Sequence, residues 1–319
     1  MADLPLIAPM LATPGRLPLP GGDGGWAVET KQDGQRAVVH APGDGTALVR
    51  SRSGEDITAV YPELRGLGGA LGAVPAVLDG EVVALDASGR PDFERLQARM
   101  GLLRSPGRAA RLATTTPVHL MIFDVLLLGG RDLTGRPWTE RREVLASLGL
   151  AGPRWSVPAA VVGRAAEALE ATRAAGLEGI VCKRLTSVYE PGVRSRSWIK
   201  IRNVRTQDVI VGGWVPGGGH LAGLPGALLV GEHRDGALRY LGSVGTGWSD
   251  RERAVLARLL DVAATDTCPF RPAPRVPRAR WVLPRLVGEV GYSTRTRAGL
   301  LRQPSWYRLR QDLAPGDLD

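Results

Sequence analysis

The stretch that decides the fold is "ETKQDGQR", residues 29–36. It ends the run "WAVETK" at 26–31, whose β-branched and aromatic residues predict a strand, and Asp33-Gly34 predicts the turn that closes it. Lys31, at the lip of that strand, is one of only three lysines; the others are Lys183 and Lys200, in a chain with 41 Lys plus Arg. Arginine stays protonated in proteins, whereas a lysine whose pKa is lowered becomes a nucleophile. Three amines kept where arginine serves everywhere else point to a task that a guanidinium cannot perform.

Outward from this stretch, "RAVVHA", "TALVRS", "AVLDGEVVAL" and "VHLMIFDVLLL" read as further strands separated by Gly, Pro and Asp turn signals. Helical patterns interleave them at "YPELRGLGGAL", "PDFERLQARM", "WTERREVLASLGL" and "RAAEALEATRAAG". Pro137 before Trp138, with Glu140 in the first turn, marks one helix start. The order argues α+β rather than strict βαβ alternation. After about residue 205, "DVIVGGWVPG", "GALLVGEHRDGALRYLGSVGTGW" and "RWVLPRLVGEVGYS" read as strands with glycine corners. One helix, "SDRERAVLARLLDVA", carries Ser249 as its N-cap. Short strands with one helix predict a small β-barrel of the OB type. The Pro/Arg stretch "RPAPRVPRAR" at 271–280 reads as a solvated linker.

A chain of 319 residues suits one large or two ordinary domains, and its net charge of +9 favours a polyanionic partner such as nucleic acid. Cys182 and Cys268 provide no disulfide framework, and His40, His119, His220 and His233 are scattered without metal-ligand spacing. The Pro-broken N-terminus is not a signal peptide and no run reaches the length of a membrane span, so a cytoplasmic location is expected.

The stretch at 29–36 resembles the nucleotidyl-transfer motif of the ATP-dependent DNA ligases, a superfamily shared with RNA ligases and mRNA capping enzymes. Other family motifs follow in order: "SRSGEDIT" at 51–58, "LDGEVVAL" at 78–85, "IFDVLLLGGRDLTGRPWTERR" at 122–142, "EGIVCKR" at 178–184 and "RSRSWIKIR" at 194–202. "GSVGTGW" at 242–248 and the stretch at 282–312 resemble the ligase OB domain. The resemblance implies an ATP-grasp-like adenylation (nucleotidyltransferase) domain with antiparallel sheets at 1–203, followed by an OB-fold β-barrel at 204–319.

It further implies that Lys31 attacks the α-phosphate of ATP and holds AMP as a phosphoramidate. Lys183 and Lys200 would be compact charges on that phosphate. Glu29 would accept from the adenine amino group and Phe123 would stack on the base. Arg36, Arg52 and Arg194 would contact ribose and phosphates, with Arg36 also facing the 5′-phosphate of a nick. Glu81, near ribose and metal, and Glu178, at the metal, would hold Mg²⁺, with Mn²⁺ as an alternative. Asp33 reads both as a turn former and as a motif member. The implied activity is nick sealing in duplex DNA by a monomer engaged in DNA repair.

The pattern departs from the family at its end: Arg310 and Asp312 are present, but Leu313 stands where a lysine commonly follows, which bears on the rate of self-adenylation. Arg202 replaces a second lysine after Lys200 and keeps its charge. The competing readings are an RNA ligase, a GTP-using capping-type enzyme, and a non-catalytic DNA-binding scaffold. A P-loop ATPase is excluded, because none of the three lysines follows a glycine.

Overall fold

The computed structural model describes residues 4–19 and 21–318, without the side chain of His220. The chain divides into two compact units, Met1–Asn203 and Val204–Asp319. Among the described residues no helix is long and apolar enough to cross a membrane.

The first unit begins with strands β1 (Leu11–Pro14), β2 (Trp26–Thr30), β3 (Gln35–Ala41) and β4 (Leu48–Ser51). Helix α1 (Gly66–Leu71) leads to β5 (Ala76–Ala84), and α2 (Phe93–Gln97) and α3 (Pro106–Thr115) lead to β6 (Val118–Leu128). After β7 (Arg131–Asp132) come α4 (Trp138–Ser147), β8 (Trp155–Ser156), β9 (Ala160–Val162), α5 (Ala165–Ala174), β10 (Gly179–Arg184) and β11 (Arg194–Arg202). Two sheets result. One has the order β1-β11-β10-β2-β9 and the other β4-β3-β5-β6-β7, with β8 beside β6. The expected antiparallel pairing dominates, but β1 runs parallel to β11 and β8 parallel to β6. A parallel neighbour needs a long crossover, so these pairings join distant segments and leave no local signature.

Strand alternation sorts the side chains into layers. From β2, β10 and β11, residues Trp26, Val28, Ile180, Cys182 and Ile201 pack outward against α5. The opposite set (Glu29, Val181, Lys183, Trp198 and Lys200) therefore faces the second sheet. On that sheet Ala37, Val39, Leu78 and Val82 build the large core with the helices. Their alternates Arg36, Asp79 and Glu81 turn back toward the first sheet. Met10, Val38, Val77, Leu126, Tyr189 and Trp198 form the apolar floor between the sheets, with Phe123 against it.

Two motif glycines hold this register. A Cβ on Gly34 would lie 2.1 Å from the Val82 carbonyl oxygen, so the turn after Lys31 can press on β5 only as glycine. Gly179 has φ of +136° and a Cβ there would meet the Ile201 carbonyl at 2.1 Å. Both would force the backbone apart beside the lysine.

The second unit comprises β12 (Arg205–Pro216), β13 (Pro225–Arg234), β14 (Ala237–Val244), α6 (Asp250–Val262), β15 (Ala264–Thr265), β16 (Arg280–Tyr292), β17 (Thr294–Arg295), β18 (Leu301–Arg302) and β19 (Ser305–Leu309). The sheet runs β14-β13-β12-β16, with β19 and β15 both paired to β16. It curls until the Trp306 amide in β19 donates to the Thr246 carbonyl just beyond β14 at 2.8 Å, bringing the ends together as an OB barrel. Asp235 and Gly236 both take positive φ, the turn that their sequence demands between β13 and β14. Ser249 caps α6 in a reciprocal capping box with Glu252. Val209, Val211, Leu228, Val230, Trp248 and Leu256 fill the barrel.

Candidate active site

A cavity of about 190 Å³ opens between the two sheets of the first unit. Glu29, Lys31, Arg36, Arg52, Glu81, Phe123, Lys183, Arg194 and Lys200 all line it, together with Leu11, Ala12, Thr30, Gln32, Val181 and Trp198. Glu178, the remaining acidic candidate, reaches the same place through an ion pair with Lys31. Residues up to 171 positions apart in sequence thus meet in one space.

The three lysines do not lie together. Lys31 follows β2, where its amide donates to the Gly179 carbonyl at 2.9 Å. Its Nζ donates to Glu178, whose other oxygen lies 3.2 Å from Arg202 Nε. Lys200 sits close enough to this cluster that burial, then the charges of Arg202, Arg194 and Lys31, lower its pKa. This end of the cavity carries more cations than anions.

Lys183 occupies the other end. It is buried, with Nζ 2.8 Å from Glu29 Oε2. The ammonium lies 4.5 Å from the Phe123 ring centroid and 4.3 Å from that of Trp198. The second oxygen of Glu29, Oε1, is buried and has no hydrogen-bond partner. Sequence reading grouped Lys183 with Lys200; the geometry groups it instead with Glu29 and the rings. The cause is strand register, because Lys183 pairs with Trp198 and Ala27, while Lys200 pairs with Val181 farther along.

Between the two ends, Arg36 is fixed by a clasp. Its Nε and one Nη each donate to Asp79 at 2.6 Å, and the same Nη donates to the Met10 carbonyl at 3.0 Å. Asp79 is fully buried and also accepts from the Tyr189 hydroxyl at 2.6 Å. That hydroxyl accepts in turn from the Met10 amide at 2.9 Å. The guanidinium lies 4.7 Å over the Phe123 ring. A two-point carboxylate grip fixes both position and plane of the guanidinium.

Glu81 shares the cavity-facing side of β5 with Asp79. Desolvation pushes its carboxyl up to about 7, partly offset by Arg36 and Lys31 and reinforced by the negative charges of Asp79 and Glu178. A buried carboxyl whose ionisation is opposed in this way is what a bound cation relieves. Among the described residues no group of three or more His, Cys, Asp or Glu gathers as a metal site. Glu81 and Glu178 are oxygen donors of the kind that hard cations such as Mg²⁺ take.

Asp79, Tyr189, Trp198 and Arg202 lie at the site although sequence reading gave the first three no part in it and Arg202 only the charge of the lysine it replaces. Asp79 and Trp198 were findable: each lies two residues before a candidate, Glu81 or Lys200, hence on the same strand face. Tyr189 carried no signal. In the second unit Arg310 donates to Asp208 at 2.8 and 2.9 Å and to Asp312 at 2.9 and 2.8 Å, with Leu313 half-buried beside it.

A cleft between two sheets, with a lysine at its lip and a surplus of cations at one end, suits a nucleotidyltransferase, and the chain belongs to the ATP-dependent DNA ligase family. Residues 9–202 match the ATP dependent DNA ligase domain and residues 222–313 match the ATP dependent DNA ligase C terminal region. The chain is 41% identical over 316 residues to the multifunctional non-homologous end joining protein LigD of Mycolicibacterium smegmatis, covering 98% of this chain and 39% of that protein. It is 37% identical to a probable DNA ligase of Streptomyces coelicolor, covering 93% of this chain and 58% of the relative. It thus spans less than two thirds of the length of these relatives. Among solved structures, mycobacterial DNA ligase D complexed with ATP and MES aligns over 98% of both chains, at 40% identity and a TM-score of 0.57.

Proposed function

We propose that this chain seals nicks in duplex DNA through a Lys31-adenylate, using ATP and a divalent ion, and that it serves DNA repair by end joining. Supporting this reading above all is the division of the cavity into a paired, aromatic end and a cation-rich end joined by Arg36. A purine with a phosphate chain has that same polarity.

At the base end, the unpartnered Glu29 oxygen suits the exocyclic amine of adenine. Guanine would bring a carbonyl oxygen to that position, which disfavours the GTP-using alternative. Phe123 supplies a ring face for stacking. At the other end Lys31 must lose a proton before it attacks, and Glu178 is the carboxylate hydrogen-bonded to it. The amine nitrogen then bonds to the α-phosphorus as the bond to pyrophosphate breaks. Lys200 and Arg194 line this end of the cavity, with Arg202 against Glu178, and cations there would lower the barrier as negative charge accumulates. In the second transfer a 5′-phosphate oxygen takes the AMP phosphorus, and Lys31 leaves as an amine and is reprotonated. In the third, a 3′-hydroxyl attacks the 5′-phosphorus and AMP departs. Mg²⁺ held by Glu81 and Glu178 would supply charge neutralisation for the incoming phosphates. A cytoplasmic monomer is the proposed working form.

The test uses ATP labelled at the α-phosphate with Mg²⁺, followed by a chase with nicked duplex. The expected result is label on the wild-type chain and none on Lys31→Ala, with the label leaving on DNA as the strand is sealed. Absence of label with either metal would favour a scaffold; label from GTP, or a chase that only RNA accepts, would move the chain to a sister family.

A further inference from the structure

The stretch at 271–280 is not a linker. It crosses the outer face of the barrel sheet, from the Arg271 amide bonded to the Leu238 carbonyl on β14 at 2.9 Å to Arg280 paired with Trp214 at the β12–β16 ladder. Phe270 anchors it by filling the space over Gly212 and Gly231, where a Cβ would come within 2.5 and 2.8 Å of its ring. Tyr240 and Trp281 meet that ring edge-on at 5.3 and 6.1 Å. Val276 and Ala279 pack into the same outer cluster with Ile210, Leu229 and Leu238.

These apolar residues and the backbone bonds of Arg271 and Arg280 account for the anchoring, which uses none of the four guanidinium groups in an ion pair. Arg271, Arg275, Arg278 and Arg280 are exposed, the segment contains no carboxylate, and none of the four pairs with an acidic side chain among the described residues. Arg271 donates to the Cys268 and Phe270 carbonyls, and Arg280 lies 4.9 Å over the Trp214 ring, so two of them are held in place. Prolines at 272, 274 and 277 restrict the backbone between them. Four uncompensated guanidinium groups on ten residues repel one another, and a polyanion relieves that repulsion.

We propose that this arginine loop is a phosphate-contacting surface of the OB unit that holds the backbone of duplex DNA independently of its sequence. It rests on the DNA-sealing reading. From β14 to β16 the loop crosses three interstrand spacings, about 14 Å. Laid along the axis of a duplex, where each nucleotide of a strand rises about 3.4 Å, a loop of that length covers about four nucleotides. Arginines held at the two ends of a proline-restricted loop without carboxylates suit a continuous phosphate row better than an acidic peptide, whose charges are irregularly placed.

The experiment measures equilibrium binding of the full chain to a nicked duplex across a salt series without divalent metal. The double variant is Arg275→Ala with Arg278→Asn, chosen because Arg278 has φ of +60° and asparagine tolerates that conformation. Each lost phosphate contact lowers the slope of log K against log salt by about 0.9, so the double variant should lose about 1.8 and the single Arg275→Gln about 0.9. Labelling of Lys31 from ATP should be unchanged. A control pair, Arg108→Ala with Arg111→Ala, removes the same charge from the exposed side of α3 in the other unit. An unchanged slope, an equal loss in the control pair, or a loss seen only against polyglutamate or an RNA duplex would overturn the proposal. Failure of the sealing reading shows separately, as a wild-type chain that takes no label from ATP or seals no nick.

Discussion

The two ends of the cavity are built on opposite electrostatic plans. At the ring end each charge is matched: Lys183 with Glu29, and Arg36 with Asp79, whose spare capacity goes to Tyr189. At the other end Lys31, Lys200, Arg194 and Arg202 outnumber the two carboxylates near them, Glu178 and Glu81. Matched buried pairs set shape, because removing one partner strands the other in a medium that cannot solvate it. Unmatched cations do little for the fold and leave an attraction for an incoming anion to satisfy. Charge at the ring end therefore positions, and charge at the cation-rich end is left to meet an anion.

Substitutions at the two ends should consequently fail in different ways. The largest loss of stability is expected for Asp79→Asn, which strips Arg36 of its two-point grip. Breaking such a buried pair costs about 3–5 kcal/mol, so thermal unfolding should shift down by about 10 °C and sealing should fall with it. If Asp79→Asn melts like the wild type, the clasp is not what fixes this end.

Lys183→Met and Lys200→Met form the second comparison. Lys183→Met leaves Glu29 unpaired, and the expected outcome is a rise in KM for ATP of about tenfold or more with a smaller change in kcat. Lys200→Met should do the reverse, lowering kcat for self-adenylation by about a hundredfold with KM little changed. The same pattern in both variants would mean that the lysines act at one place after all.

A third, smaller effect concerns pH. Glu81 has its carboxyl raised to about 7, so it is protonated below that pH and gains its charge as pH rises through it. If it binds the metal as carboxylate, divalent-dependent self-adenylation should climb about tenfold per pH unit below 7 and level above it. In Glu81→Gln that limb should vanish, leaving a low and flat profile. An unaltered profile would assign the titration to another group.

The smallest effect is expected from Leu313→Lys, which adds an amine beside the Arg310–Asp312 pair. Single-turnover labelling of Lys31 should speed up by a few fold, without change in sealing from a preformed adenylate.

The sequence by itself determined much of this protein. Period-two alternation put Glu29, Lys183 and Lys200 on one face of their strands, and Glu81 on one face of its own. Asp235-Gly236 specified a hairpin and Ser249 a helix start, since both signals act over a few residues. Lys31 stood out for the same kind of reason, as a rare residue beside a strand end and a turn. Only the tertiary structure decided which lysine faces which group, because register between β2, β10 and β11 depends on pairings across about 150 residues. It alone joined Tyr189 to Asp79, 110 positions away, and laid the arginine loop on Phe270 over two glycines. A local pattern fixes the side of an element on which a residue lies; what waits on that side is set by segments with no sequence proximity to it, brought there by burial of the surfaces they share.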